Sequence, residues 1–295
     1  MSQYVITCCS TVDVSEEKLK ALDVPYVPFH YFLDAVEFED DLYTSLSPTS
    51  FYRALLEGAE PKTAQVNTEE FTAFFKRFLD AGIDVLHLSF STGLSGSCQS
   101  ARVAAEDLKA AYPERRIEVV DTLAASSGYG LLVSMAAEMR LDGDSLDTVK
   151  AFVEENKLKI HHWFFSTDLS FYVKGGRLSR MSGWFGTVLK ICPLLNMDKD
   201  GHLTARYKLR GKKRVIEAMV DKFKECVENG ENYGGKCYIS HSDCYEDARA
   251  VADAVEQFVP ALKGKVEIFN IGPTIGCHTG PGTVALFFVG SERID

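Results

Sequence analysis

A chain of 295 residues with 46% hydrophobic and 25% charged residues has an ordinary globular balance and is long enough for two domains of common size. Its formal net charge of −10 sets the average surface against polyanions, and its basic cluster at 208–214 (KLRGKKR) reads as a solvated helix start, which argues against general nucleic-acid binding. Eight cysteines without a C-x-x-C pair argue against a zinc site, and no apolar run approaches the roughly 20 residues of a membrane span. No charged-then-apolar leader opens the chain, so the expectation is a cytoplasmic protein with reduced thiols.

In the first half, residues 4–7 read as a strand and 24–32 as an extended stretch broken by Pro25 and Pro28. Residues 69–81 form an amphipathic helix pattern with Phe71, Phe74, Phe75, Phe78 and Leu79 on one side. A buried-type strand at 85–90, a helix at 96–111, a strand at 117–120 and a helix at 126–140 follow. Strands and helices alternating over short connections predict a parallel sheet with helices on its faces.

The second half differs. A helix at 144–156 precedes a strand at 160–165. Residues 194–197 and 202–206 flank Asp198-Lys199-Asp200-Gly201 and read as a hairpin, because Asp-Gly favours the tight turn. Helices at 215–227 and 245–258 alternate with strands at 236–241, 266–269 and 284–289. The fold class is therefore α/β with two domains: a parallel-sheet α/β/α domain over residues 1–155 and an α+β domain with a mixed sheet over residues 156–295. No internal repeat is present.

Four segments carry chemistry. In SFSTGLSGSCQS (89–100) a buried strand runs through a Gly-Ser turn into a helix. Ser95 there either caps the helix or, with free N–H groups at the positive end of the dipole, holds an anion. PKTAQVN (61–67) offers Thr63, which in a loop is most simply a turn or cap residue. IGPTIGCHTGPG (271–282) is read as a constrained glycine-proline loop displaying His278 at a strand end. KGGRLSR (174–180) is either an exposed turn or a place where an anion meets the backbone and Arg177 together.

These segments, with ITCCSTVD at 6–13 and VVDTLAASSGYG at 119–130, resemble the DegV family in order and over nearly the whole chain. That family includes the FakB-type fatty-acid-binding subunits of bacterial fatty-acid kinase. The resemblance implies a two-domain fold with a long-chain fatty acid in a tunnel between the domains, presented to a fatty-acid kinase subunit for acyl-phosphate formation. Carried over by motif position, Thr63, Ser95 and His278 would hold the acid head group, and Arg177 and Arg210 would serve phosphoryl transfer or face the partner. The resemblance implies no cofactor beyond the bound lipid, no metal and no catalysis by this chain alone. Cys9 stands where the family has Asp, which leaves the hydrogen bonding of that Asp in question. Ala64 and Val66 likewise replace its Ser and Pro beside Thr63.

The competing reading is a lipid esterase. Gly93, Leu94, Ser95, Gly96 and Ser97 approach the G-x-S-x-G nucleophile turn, and His278 follows in the order that α/β-hydrolases use. Ser97 occupies the position of the final glycine, and spacing points to no acidic third partner.

Overall fold

The buried apolar runs of the first half pair as parallel strands. In the computed structural model, which describes residues 3–178 and 191–293, this half runs β1 (Tyr4–Cys9), α1 (Glu16–Ala21), β2 (Tyr26–Val27), β3 (His30–Leu33), β4 (Val36–Glu39), α2 (Pro48–Leu56), β5 (Pro61–Ala64), α3 (Thr68–Leu79), β6 (Asp84–Ser89), α4 (Ser97–Leu108), β7 (Ile117–Asp121), α5 (Ser126–Leu141) and α6 (Leu146–Asn156). The parallel sheet has the order β2-β1-β6-β7. The aromatic stripe of α3 buries Phe71, Phe74, Phe75 and Leu79, and Asn67 with Glu70 forms a capping box at its start.

The extended stretch at 24–32 divides. Tyr26–Val27 pairs in parallel with β1, and Pro28, which has no N–H to donate, ends that pairing. His30–Leu33 then joins a second, antiparallel sheet of order β4-β3-β5. That sheet and α2 are additions to the sequence reading. The first four residues of the PKTAQVN segment are strand β5 rather than loop, so Thr63 is held opposite Tyr31 of β3.

The second half runs β8 (Ile160–Ser166), α7 (Ser170–Gly175), β9 (Ile191–Met197), β10 (Leu203–Arg210), α8 (Lys212–Cys226), β11 (Cys237–His241), α9 (Tyr245–Phe258), β12 (Glu267–Asn270), α10 (Pro273–Thr279) and β13 (Thr283–Val289). Its sheet has the order β10-β9-β8-β13-β11-β12, antiparallel except for β11 with β12. The predicted hairpin is β9–β10, and Gly201 supplies the positive φ of 76° in its turn. The basic cluster is not a helix start as a whole. Residues 208–210 finish β10, Gly211 turns at a φ of 85°, and the helix begins at Lys212.

Side chains alternate across a strand, so each face of this sheet has its own core. Phe165, Leu286 and Phe288 pack with residues of α8 and α9. Phe164, Ala285 and Phe287 face the other way and join the core built around α5. Helix α5 touches β1 of one sheet and β8, β11 and β13 of the other. This explains why it is buried on nearly every side along its first two turns, as helices without a polar face are. Gly130 permits the approach, since a Cβ there would lie 2.5 Å from the Val12 carbonyl oxygen. No helix among the described residues is long and apolar enough to cross a membrane.

Candidate functional site

A cavity of about 270 Å³ lies where the two halves meet, close to the lower end of the range for small-molecule sites, about 300–1,000 Å³. Phe29, Phe90, Leu94 and Ala125 form its wall on the parallel-sheet side. Phe164, Met197, Leu203, Ala285 and Phe287 form the opposite wall, with Ile271 and Ile275 beside them. The strand period explains the second wall: Thr283, Ala285 and Phe287 share one face of β13, and β8 sets Phe164 opposite Ala285 and His162 opposite Phe287.

Polar side chains gather at one end. Thr63, Ser95, Arg177 and His278 all line the cavity. The Thr63 Oγ1 lies 2.8 Å from the His278 Nε2. Gly175, at the end of α7, packs so closely on the ring that a Cβ there would overlap its Nδ1. Burial, and then the Arg177 charge, lower the His278 pKa from 6.5 to about 4, so the ring is neutral at physiological pH. A histidine with a depressed folded-state pKa favours the native state above its unfolded pKa. That contribution is lost as the pH falls from about 6.5 to about 4. A His278→Asn variant is accordingly expected to lose less thermal stability than the wild type over that window, measured by unfolding scans at each pH.

Ser95 sits just before α4, and its Oγ accepts the Ser97 N–H at 3.2 Å. The N-cap of α4 is Gly96, so Ser95 makes a turn contact one residue ahead of the cap, and its hydroxyl still has its own proton to donate. The loop that carries Ser95 is anchored from below: Ser91 Oγ donates to the Gly201 carbonyl at 2.9 Å, and Gly93 has no room for a Cβ above the same turn. Gln65, which the sequence reading did not single out, accepts the Gly96 N–H at 2.9 Å and so ties β5 to the start of α4. Arg177 is exposed at the rim, where its Nη1 donates to the Gly175 carbonyl at 2.7 Å and its Nε to the Leu94 carbonyl at 3.3 Å. Both of these partners are neutral, which leaves the cation able to attract an acid. The last two residues of the KGGRLSR segment lie outside the described residues. Arg210 ends β10 as an exposed side chain and is not among the residues lining the cavity.

The glycine-proline segment is not the loop its composition suggests. Pro273 occupies the first turn of α10, where its missing N–H costs nothing, and Gly280 ends the helix at a φ of 64°. Two carboxylates hold its start: Asp13, the last residue of the ITCCSTVD segment, to which the sequence reading gives no role, and Asp40, which it does not mention. Asp13 accepts the Gly272 N–H at 2.9 Å and the Ser126 hydroxyl, and Asp40 accepts the Thr274 N–H at 3.2 Å. These satisfy helix-terminal donors that a buried end would otherwise strand. Burial raises the pKa of both carboxyls. The helix clamped in this way delivers His278 to Thr63 at its other end. Cys9 is not among the lining residues either. Its thiol lies 3.7 Å from the His87 Nε2, and burial pushes its pKa up to about 12.

The arrangement suits an amphiphile with an acidic head: hydroxyl donors, a neutral imidazole and a guanidinium at one end of an apolar space. Among the described residues no hydrogen bond joins Ser95 to His278: the His278 ring is bonded to Thr63, and the Ser95 Oγ accepts a backbone N–H. Among the described residues no group of three or more His, Cys, Asp or Glu side chains is gathered to hold a metal.

A family model described as uncharacterised protein, DegV family, matches residues 4–291. A DegV domain-containing protein of Clostridium perfringens is 36% identical over 293 residues, 99% of each chain. A solved DegV family protein from Thermus thermophilus, described as binding fatty acid, is 29% identical with a TM-score of 0.85, covering 99% of this chain and 100% of its own. A DegV lipid-binding protein from Thermotoga maritima is 27% identical with a TM-score of 0.83 and 99% coverage of both chains. With a match that runs almost from end to end, the chain belongs to the DegV family.

Proposed function

We propose that this protein is a cytoplasmic lipid carrier, not catalytic alone, that holds one long-chain fatty acid between residues 1–155 and residues 156–295. The carboxylate lies at Thr63, Ser95 and His278, and the acyl chain fills the apolar cavity. The observation that carries this reading is that Thr63, Ser95, Arg177 and His278 line the same cavity as the apolar rings of Phe29, Phe90, Phe164 and Phe287. The fatty-acid binding described for the Thermus thermophilus protein supports it.

The energetics agree. About fourteen buried methylenes at about 0.8 kcal/mol each gross about 11 kcal/mol. Association costs of about 4–15 kcal/mol oppose that gain. The tail therefore supplies affinity and the head group fixes position. A carboxylate buried without partners costs several kcal/mol. Ser95 has a hydroxyl proton to offer it, Thr63 has one where the His278 Nε2 carries the hydrogen between them, and Arg177 offers a cation.

In this reading the carrier presents the carboxylate to a fatty-acid kinase subunit, which forms the acyl phosphate. Arg177 stands at the rim to meet the new charge. Arg210, exposed and away from the lining, faces the partner. An Arg210→Ala variant is expected to bind fatty acid with unchanged affinity but to lower acyl-phosphate formation with the kinase about tenfold, the worth of one charge-assisted contact. Loss of lipid binding in that variant would make Arg210 part of the pocket instead.

A further inference from the structure

We propose that Gly128 is the positioning residue that sets how far an acyl chain reaches into the cavity, and so which chain lengths the protein prefers. The inference rests on the fatty-acid reading above and deepens it.

Thr283, which also lines the cavity, has its Oγ1 3.1 Å from the hydroxyl of Tyr172 in α7, the helix whose Gly175 packs on His278. Phe287 is four residues further along β13, about 13 Å away at the rise of a strand. His162 of β8 is its register partner, and the two rings meet edge to face with centroids 5.3 Å apart. Both rings line the cavity and both are almost fully buried. They form a stretch of the cavity wall four residues along β13 from Thr283.

The wall is stiff. The His162 Nε2 accepts the Ala125 N–H at 3.2 Å, so the ring proton is on Nδ1 and is donated to the Ile160 carbonyl at 2.9 Å. Turning the ring breaks both bonds in a buried place. Burial also holds the imidazole neutral, since it lowers the His162 pKa well below 6.5.

Gly128 stands behind this wall, in the first turn of α5, and does not itself line the cavity. A Cβ at that position would lie 2.6 Å from the Phe287 Cδ1 and closer still to the His162 Nε2. Both separations are far inside contact distance, so any side chain at 128 displaces the ring pair. Helix α5 is packed against both sheets, and the open space adjoining the rings is the cavity. The rings therefore move into it and shorten it.

The test is competitive loading of purified wild type, Gly128→Ala and Phe287→Leu with an equimolar mixture of tetradecanoic, hexadecanoic and octadecanoic acids. Native mass spectrometry reads the bound species, and thermal unfolding confirms that each variant is folded. Gly128→Ala is expected to shift the bound population toward the shortest acid, by about fourfold in relative affinity for each methylene no longer admitted. Phe287→Leu, which enlarges the same end from the opposite side, is expected to shift it toward the longest, and it carries the test if Gly128→Ala does not fold. A merely structural role for these residues would alter stability without moving the ratio of bound acids. Folded variants with the wild-type ratio overturn the proposal while the carrier reading stands. A wild type that takes up none of the three acids overturns the carrier reading and this inference with it.

Discussion

Removing both hydroxyls from the polar end, in a Thr63→Val, Ser95→Ala double variant, is expected to weaken fatty-acid binding about 100-fold or more. Hydrogen bonds to a charged group are each worth about 1.5–3 kcal/mol, or roughly one to two orders of magnitude in affinity. The single changes should cost about tenfold each, and Thr63→Val should be the larger. Its hydroxyl also lies on the His278 Nε2 at 2.8 Å, so its loss frees the imidazole as well. Ser95→Ala additionally removes the acceptor for the Ser97 N–H, a local cost at the start of α4 that appears in stability rather than in binding. Titration with a fluorescent fatty acid measures the effect directly. Unchanged affinity in the double variant would remove the carboxylate from this end of the cavity.

Asp13→Ala is expected to be the most destabilising single change near the site. It strands the Gly272 N–H in a buried region and leaves the Ser126 hydroxyl with Ser240 alone. The cost is about 2–4 kcal/mol, which in a chain of this size corresponds to a Tm lower by about 5–15 °C. Asp13→Asn should behave differently, because its amide oxygen still accepts the Gly272 N–H and no charge is buried. The sign of the pH dependence separates the two. Burial raises the Asp13 pKa in the folded state above its ordinary 3.8. Its contribution to stability is thus present below that value and is lost as the pH rises through the folded-state pKa. The stability difference between Asp13→Asn and wild type should therefore move in favour of Asn as the pH rises. A difference that is flat with pH would mean the carboxyl keeps one protonation state throughout.

Much of this molecule is legible in period and punctuation. Helix α3 announces itself by five apolar side chains at helical spacing behind an Asn-x-x-Glu cap, and the β9–β10 hairpin by Asp198 to Gly201. Thr63, Ser95, Arg177 and His278 come from four separate segments, and their motifs lead to one cavity. What stays hidden has physical reasons. Helix α10 is masked by its glycines and prolines, since its stability comes from Asp13 and Asp40, which lie 259 and 234 residues away in sequence from the groups they hold. Asp13 has a faint signal of its own, an acid following the buried run of β1, and it adopts a φ of 45° that Asp tolerates better than most residues. The antiparallel sheet escapes because each of its strands is only four residues long and β4 is largely exposed, which leaves little period to read. The Cys9 thiol turns toward His87, and a one-letter comparison carries no direction for a side chain.

The account depends on an acyl chain occupying the space between Phe29, Phe90, Phe164 and Phe287. Native mass spectrometry of the purified protein, followed by the same measurement after denaturation, tests this most directly. The expected result is a population heavier than the bare chain by the mass of one long-chain fatty acid, released on unfolding. A bare chain that stays bare after incubation with hexadecanoic acid would contradict it.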